Sequence, residues 1–355
     1  MWKSGPVRIG VLTGGGDCPG LNAVIRAIVL TATGRYDDEV VGFLDGWRGV
    51  LGGRSMPLAP ERCRDLISIG GTILGTSRTN PFATDDGPQR VVANLTDLGI
   101  DVLVAIGGDD TLGVADRLSP LGVRAIGVPK TIDNDLSGTE VTFGFDTAVQ
   151  IATEAIDRLH TTAESHHRVI VCEVMGRHVG WIAAHAGIAG GAAEVLVPEV
   201  PFDLDAVCER LVFRHRRGQW SSIVVVSEGA LPVPGPDLEA FKAATGPTPL
   251  DQFGHVRLGG IGAWLAHQVE ERTGFESRVT ILGHIQRGGT PSAFDRVLAT
   301  RFGVEAVRAV HDGDFGTMVA LQGGQIVRIP LADVVHNVKA LDLRLLNEVA
   351  APFLG

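Results

Sequence analysis

The sequence predicts an α/β fold: two three-layer α/β domains with mostly parallel sheets around a shared active-site cleft. Three observations predict it. The chain has 355 residues, more than one hydrophobic core usually serves, and 45% of them are hydrophobic. A unit of apolar strand, glycine-rich or polar loop and helical pattern recurs along it, as in parallel sheets covered by helices. Most of these strands end in a polar cluster, and ligands of open parallel sheets bind beyond the carboxyl ends of strands.

The bulk numbers narrow the function. A formal net charge of -10 and a pI of about 5.5 argue against a general nucleic-acid binder. Aromatic residues are 5%, and there is no basic, aromatic-rich stretch. The 47 glycines point to tight turns and close backbone approaches. The four cysteines, Cys18, Cys63, Cys172 and Cys208, form no C-x-x-C pair. Met1 to Gly5 leads straight into a strand without a signal-peptide apolar region. No apolar run reaches transmembrane length; Trp181 to Val197 comes nearest, interrupted by His185 and Glu194. A soluble protein of the reducing cytoplasm, with no membrane partner, is the expectation.

In chain order, Arg8 to Leu12 reads as a central strand, followed by Thr13–Gly20 and a helical pattern from Leu21 to Leu30. Strand, glycine loop and helix cradle phosphate on backbone N–H groups at a helix N-terminus. The loop is not the dinucleotide fingerprint, because Pro19 stands where a third glycine is needed; nor is it a Walker loop, because Leu21–Asn22 replaces Lys-Ser/Thr. Gly70 to Arg78 is a second glycine- and hydroxyl-rich segment, able to add donors to the same phosphate.

Asp101 to Ile106 is another buried strand, ending in Gly107-Gly108-Asp109-Asp110-Thr111. Carboxylates beside bound phosphates suit Mg²⁺, which takes one or two protein carboxylates and completes its shell with phosphate oxygens and water. Asp109 is the candidate ligand, and helix capping is the alternative role for Asp110 or Thr111. The strand Ala125–Val128 then runs into Pro129-Lys130-Thr131-Ile132-Asp133-Asn134-Asp135. If that segment is extended, Asp133 and Asp135 point the same way. One carboxylate can then take a proton while the other holds substrate or its base.

Phe145 to Leu159 has helical spacing, and the strand Arg168–Val174 leads into Met175-Gly176-Arg177. Cations there suit a sugar phosphate or the charge of phosphoryl transfer. Ser222–Val226 ends at Glu228, placed to hold sugar hydroxyls. Leu231 to Asp251 looks like an exposed excursion, and Leu258 to Thr273 is helical. Ser277 to Pro291 is a strand-to-loop junction carrying Arg278, His284 and Arg287. Phe294 to Val310 is a helix, and Met318 to Pro330 a hairpin-like pair. His166, His167 and His284 lack zinc-type spacing.

Glycine N–H donors, one Mg²⁺ ligand, a candidate base and the cations Arg168, Arg177, Arg278 and Arg287 together fit phosphoryl transfer to a hydroxyl of a phosphorylated sugar. Asp133 is the expected base, and Arg177 the group that steadies the transferring phosphoryl.

Five motifs also carry a resemblance: Gly14-Gly15-Gly16-Asp17-Cys18-Pro19-Gly20, Gly107-Gly108-Asp109, Thr131-Ile132-Asp133-Asn134-Asp135, Met175-Gly176-Arg177 and Leu282–Gly289. In this order they resemble the signatures of the 6-phosphofructokinase family over about the whole chain. The resemblance implies transfer to the 1-hydroxyl of fructose 6-phosphate, with Asp133 as base and Asp109 at the Mg²⁺ site. Gly15, with Arg78 and Gly108, would meet the donor phosphate. Thr131, Asp135, Met175, Gly176, Arg177, Glu228, His284 and Arg287 would meet the sugar phosphate. Arg168 and Arg278 match positions that reach a neighbouring subunit's site, implying a homodimer or homotetramer. The implied domains are 1–144 plus about 286–336 for donor and Mg²⁺, and 145–285 plus about 337–355 for the sugar phosphate.

The departures from the family concern the donor. ATP-using members usually carry glycine where this chain has Asp110 and Lys130, and the pair resembles the pyrophosphate-dependent branch. A carboxylate at position 110 would occupy the region of a nucleotide's α-phosphate. Two charges about 4 Å apart repel by roughly 4 kcal/mol at an effective dielectric near 20. That is roughly a thousandfold in affinity. Lys130 can neutralise the leaving phosphate. Pyrophosphate is therefore the expected donor, in a near-reversible reaction of glycolysis or gluconeogenesis. The alternatives are an ATP-dependent 6-phosphofructokinase, a catalytically silent sugar-phosphate sensor, and use of a longer sugar such as sedoheptulose 7-phosphate.

Overall fold

The computed structural model describes residues 5–246 and 259–350. Met1–Ser4, the end of the expected excursion (247–251) and Leu258 lie outside the described residues. The chain divides into two compact units, the first holding the chain through Thr147 and Arg287–Val338, the second most of Ala148–Gln286 and the chain from Lys339 onward.

The first unit is built on β1 (Arg8–Thr13), β2 (Glu39–Phe43), β3 (Ser55–Pro57), β4 (Val102–Gly107), β5 (Ala125–Pro129), β10 (Thr317–Gln322) and β11 (Gln325–Pro330). Their order is β11-β10-β5-β4-β1-β2-β3. Pairings among β10, β5, β4, β1 and β2 are parallel, and β3 and β11 close the edges antiparallel. β4 and β5 are buried along their whole length, which is why they read as continuous apolar runs without alternation. Successive strands run outward in opposite directions from the β1–β4 pair, so this pair is the topological switch point.

The second unit holds β6 (Val169–Val174), β7 (Glu194–Leu196), β8 (Ser222–Ser227) and β9 (Ser277–Ile281), all parallel, in the order β7-β8-β6-β9. β9 is an edge strand and keeps Val279 and Ile281 exposed.

The longer helices are α1 (Leu21–Tyr36), α2 (Gly87–Asp97), α3 (Asp109–Leu118), α4 (Phe145–His166), α5 (Trp181–Ala189), α6 (Leu204–Arg216), α7 (Pro236–Thr245), α8 (Ile261–Thr273) and α9 (Ala293–Asp312). The α/β class with parallel sheets is the expected one. Two stretches take a definite form. The excursion from Leu231 contains α7, which starts at Pro236 with two acids in its first turn. The Trp181–Val197 run is α5 followed by β7, and no helix among the described residues is long and apolar enough to cross a membrane. Cys18, Cys63, Cys172 and Cys208 are buried free thiols.

α1 and α9 pack closely along one face of the first sheet. Gly303 permits this: a Cβ there would lie 2.7 Å from Ala27 Cβ and 2.9 Å from the Val24 carbonyl oxygen. Backbone cannot yield to a branched side chain, so Gly303→Val should destabilise by about 2–3 kcal/mol. Chemical denaturation measures it; a change under about 0.5 kcal/mol would mean the helices separate at little cost.

Candidate active site

Four segments of the first unit converge at the carboxyl ends of β1, β4 and β5. The loop after β1 is pinned on both sides: Gly14 N–H donates to the Ile106 carbonyl at 2.9 Å, and Gly15 N–H to Ser77 at 3.3 Å. The Thr76 hydroxyl returns to the Gly15 carbonyl at 2.6 Å. The Gly70–Arg78 segment is thereby fastened to the first glycine loop. The Thr111 side chain packs beneath Gly14 and Gly107, which have no room for a Cβ.

α3 begins at Asp109, so Gly108, Asp109 and Asp110 sit at its N-terminus, where the helix dipole favours anions. One Asp109 oxygen, Oδ1, accepts the His336 N–H at 2.9 Å. Among the described residues no group of three His, Cys, Asp or Glu could hold a metal alone. A single partly exposed carboxylate beside backbone donors fits Mg²⁺ that draws the rest of its shell from phosphate and water.

Lys130 is 4% exposed, and its ammonium donates to the Gly16 carbonyl. A Cβ on Gly15 would lie 3.4 Å from Nζ. Burial is the main cause that lowers the Lys130 pKa; the Cys18 side opposes it and the neighbouring Arg287 adds to it. Burial pushes the Cys18 thiol up to about 12, so it stays a protonated packing group that touches the Phe143 carbonyl.

The segment after β5 is not extended as the sequence suggests. Asn134 adopts φ 55, and its side-chain carbonyl accepts the Thr142 N–H at 3.1 Å. Asparagine tolerates this left-handed geometry, and the turn ends the strand-like alternation. Asp133 and Asp135 still feel each other. Burial and then the Asp133 charge raise the Asp135 pKa to about 6, against hydrogen bonds from its own backbone and Thr131. Thr131 Oγ1 also accepts the Asp133 N–H at 3.1 Å.

Arg287 is half-buried against this cluster. A methyl on Gly16 would collide with its guanidinium. The resemblance assigns Arg287 to the sugar phosphate, and in the structure its guanidinium stands beside the first glycine loop.

In the second unit, Met175, Gly176 and Arg177 follow β6, which lies between β8 and β9. Gly176 has φ 136, and its carbonyl accepts the Ser227 hydroxyl at 2.7 Å and the Gly229 N–H at 3.1 Å. Glu228 N–H donates to Val174 at 2.9 Å. The fully buried Gln286 accepts the Met175 N–H at 3.4 Å and donates to the Gly283 carbonyl at 3.1 Å. Met175–Arg177, Glu228 and the His284 loop are thus held together. Gln286 and Ser227 were not among the candidate residues; Gln286 was a polar residue inside a motif, and Ser227 stood only at the end of an apolar strand.

Arg168 and Arg278 are elsewhere. They stand at the amino ends of β6 and β9, about 20 Å along the strand from Met175. The expectation that they gather at the strands' carboxyl ends is corrected. Glu276 joins them, at 2.7 Å from Arg168 and 2.5 Å from Arg278.

Residues 8–310 match the family model described as phosphofructokinase. The chain is 58% identical over 348 residues to a Streptomyces coelicolor protein named pyrophosphate–fructose 6-phosphate 1-phosphotransferase, covering 98% of this chain and 100% of that one. It is 54% identical over 340 residues to a Corynebacterium efficiens protein named ATP-dependent 6-phosphofructokinase, covering 96% of each. Among solved structures, Pichia pastoris phosphofructokinase in the T-state superposes with a TM-score of 0.81 at 32% identity over 99% of this chain, which spans 37% of that longer chain. The pyrophosphate-dependent phosphofructokinase of Marinobacter aquaeolei gives a TM-score of 0.81 at 25% identity over 95% of this chain and 86% of that one.

The Asp135 shift predicts a pH dependence. Its folded pKa, about 6, lies above the ordinary 3.8. The ionised form therefore costs stability, a cost absent below about pH 4 and complete once pH rises through 6. Asp135→Asn should gain up to about 3 kcal/mol over the wild type at pH 8 and close to nothing at pH 4. Thermal melts at both values check it; an equal gain at both would assign the effect to packing instead.

Proposed function

The chain belongs to the phosphofructokinase family, and on that premise we propose that it transfers a phosphoryl group from pyrophosphate to the 1-hydroxyl of fructose 6-phosphate. The products are fructose 1,6-bisphosphate and phosphate. Relatives named for either donor stand at similar identity, so the choice rests on residues. The observation that carries pyrophosphate is Lys130: its ammonium is buried against Gly15–Gly16, where a glycine would leave space, beside the acidic N-terminus of α3.

In this reading, backbone N–H groups of Gly15 and Gly108, with Arg78, hold the donor phosphates. The 1-hydroxyl oxygen attacks the distal phosphorus and its proton passes to Asp133. The bond to the bridging oxygen breaks, and its electron pair leaves with phosphate, which Lys130 neutralises. Asp135 and Thr131 orient Asp133. Arg177 steadies the transferring phosphoryl; Met175, Gly176, Glu228, His284 and Arg287 hold the sugar phosphate. Asp109 would hold Mg²⁺, which supplies charge neutralisation to the phosphates when bound. Asp110 disfavours a nucleotide by repulsion at its α-phosphate.

Arg168 and Arg278 stand far along their strands from Met175, which supports their serving a neighbouring subunit's 6-phosphate in a homodimer or homotetramer. Four free buried thiols suit a reducing cytoplasm.

Asp133→Ser should cut turnover by about 10²–10⁴-fold with the melting temperature preserved; near-normal turnover would refute the base. Purified protein with Mg²⁺ should form fructose 1,6-bisphosphate with pyrophosphate and not with ATP. Asp110→Gly with Lys130→Gly should gain ATP use and lose pyrophosphate use. A double variant still blind to ATP would remove the repulsion account of donor choice.

A further inference from the structure

Two helix N-termini meet at one buried carboxylate. Asp295, in the first turn of α9, is fully buried, and no cation pairs with it among the described residues. Its Oδ2 accepts the Thr147 N–H at 2.8 Å and the Thr147 hydroxyl at 2.5 Å, at the start of α4. Thr147 Oγ1 accepts the Ser292 N–H at 2.9 Å, and the Ser292 hydroxyl donates to Asp146 at 2.5 Å. The Asp295 N–H returns to Ser292 Oγ at 3.2 Å. Burial pushes the Asp295 carboxyl up to about 6, and the Thr147 hydrogen bonds oppose it. An unpaired buried charge is costly, so this cluster needs its geometry.

What it anchors is the strap 287–292. At one end Ser292 belongs to the cluster. In the middle the Gly289 carbonyl abuts Gly70, which has no room for a Cβ. At the other end Arg287 lies on Gly16. Arg287 Nε is buried without a hydrogen-bond partner. No ion pair fixes this guanidinium among the described residues; the backbone it hangs from decides where the charge sits.

We propose that Asp295, with Thr147 and Ser292, is a positioning cluster that anchors the strap and so holds the Arg287 guanidinium at a substrate phosphate. The proposal rests on the reading of Arg287 as a phosphate-binding group, and its test separates the two. Amide hydrogen exchange of residues 287–291 is measured with the KM and kcat for pyrophosphate and fructose 6-phosphate, in the wild type, Asp295→Ala and Asp295→Asn. Losing buried hydrogen bonds should speed exchange about tenfold in Asp295→Ala and raise at least one KM about fivefold, with kcat less affected. Asp295→Asn keeps an acceptor oxygen for Thr147 and should bring both to within about threefold of the wild type.

Unchanged exchange in a folded Asp295→Ala would overturn the anchoring. Equal impairment in Asp295→Asn would overturn it too, since charge and not acceptor geometry would then matter. Faster exchange with both KM values unchanged would keep the anchor but overturn its link to substrate, and with it the reading of Arg287. If Asp295→Ala does not fold, Thr147→Val and Ser292→Ala carry the same measurements with the same expected directions.

Discussion

The carboxyl ends of buried parallel strands constrain everything else in this protein. Inside the sheets β4 and β6 are paired with strands on both sides, and apart from Glu173 in β6 their side chains are apolar. Where the ladder stops, N–H groups need new partners and the chain must turn in little space. Glycines 14–16, 107–108 and 176 meet both needs. The polar residues that follow are therefore held on backbone that the core has already fixed.

That placement sets the electrostatics. The first unit gathers Asp109, Asp133 and Asp135 with Lys130 and Arg287 around two glycine loops. None of these charges is cheap to bury, and the shifts show it: Asp135 is raised, and Lys130 is lowered, chiefly by burial. A neighbouring anion would offset what burial takes from Lys130. The cluster thus places cations and carboxylates side by side on backbone that the core holds. The second unit is built differently. Its loops are tied by neutral groups, Gln286 and Ser227, which fix the backbone of Met175–Arg177 without competing for an anion.

Most of the fold was legible in the sequence because buried parallel strands leave an unmistakable trace. Ala125–Pro129 and Ser222–Ser227 are apolar runs bounded by turn residues. β3 and β7 left none, since three residues carry no period. α7 was hidden by prolines that start a helix as readily as they break one. The alternation expected at Asp133–Asp135 failed because Asn134 turns left-handed, a choice fixed by Thr142 eight residues later. Arg168 and Arg278 were grouped with the other cations because sequence shows which strand a residue joins more clearly than which end of the sheet it occupies.

The sequence by itself determined the kind of chemistry: glycine loops, acids and arginines in one order along alternating strands and helices. Each of those signals is local, a property of a few neighbouring residues. Only the tertiary structure decided which groups meet. Arg287 lies on Gly16, Lys130 reaches under the loop 114 residues earlier, and Asp295 caps a helix that begins at Phe145. Such meetings depend on strand order and on the close approach of backbones, and neither leaves a mark in the local pattern.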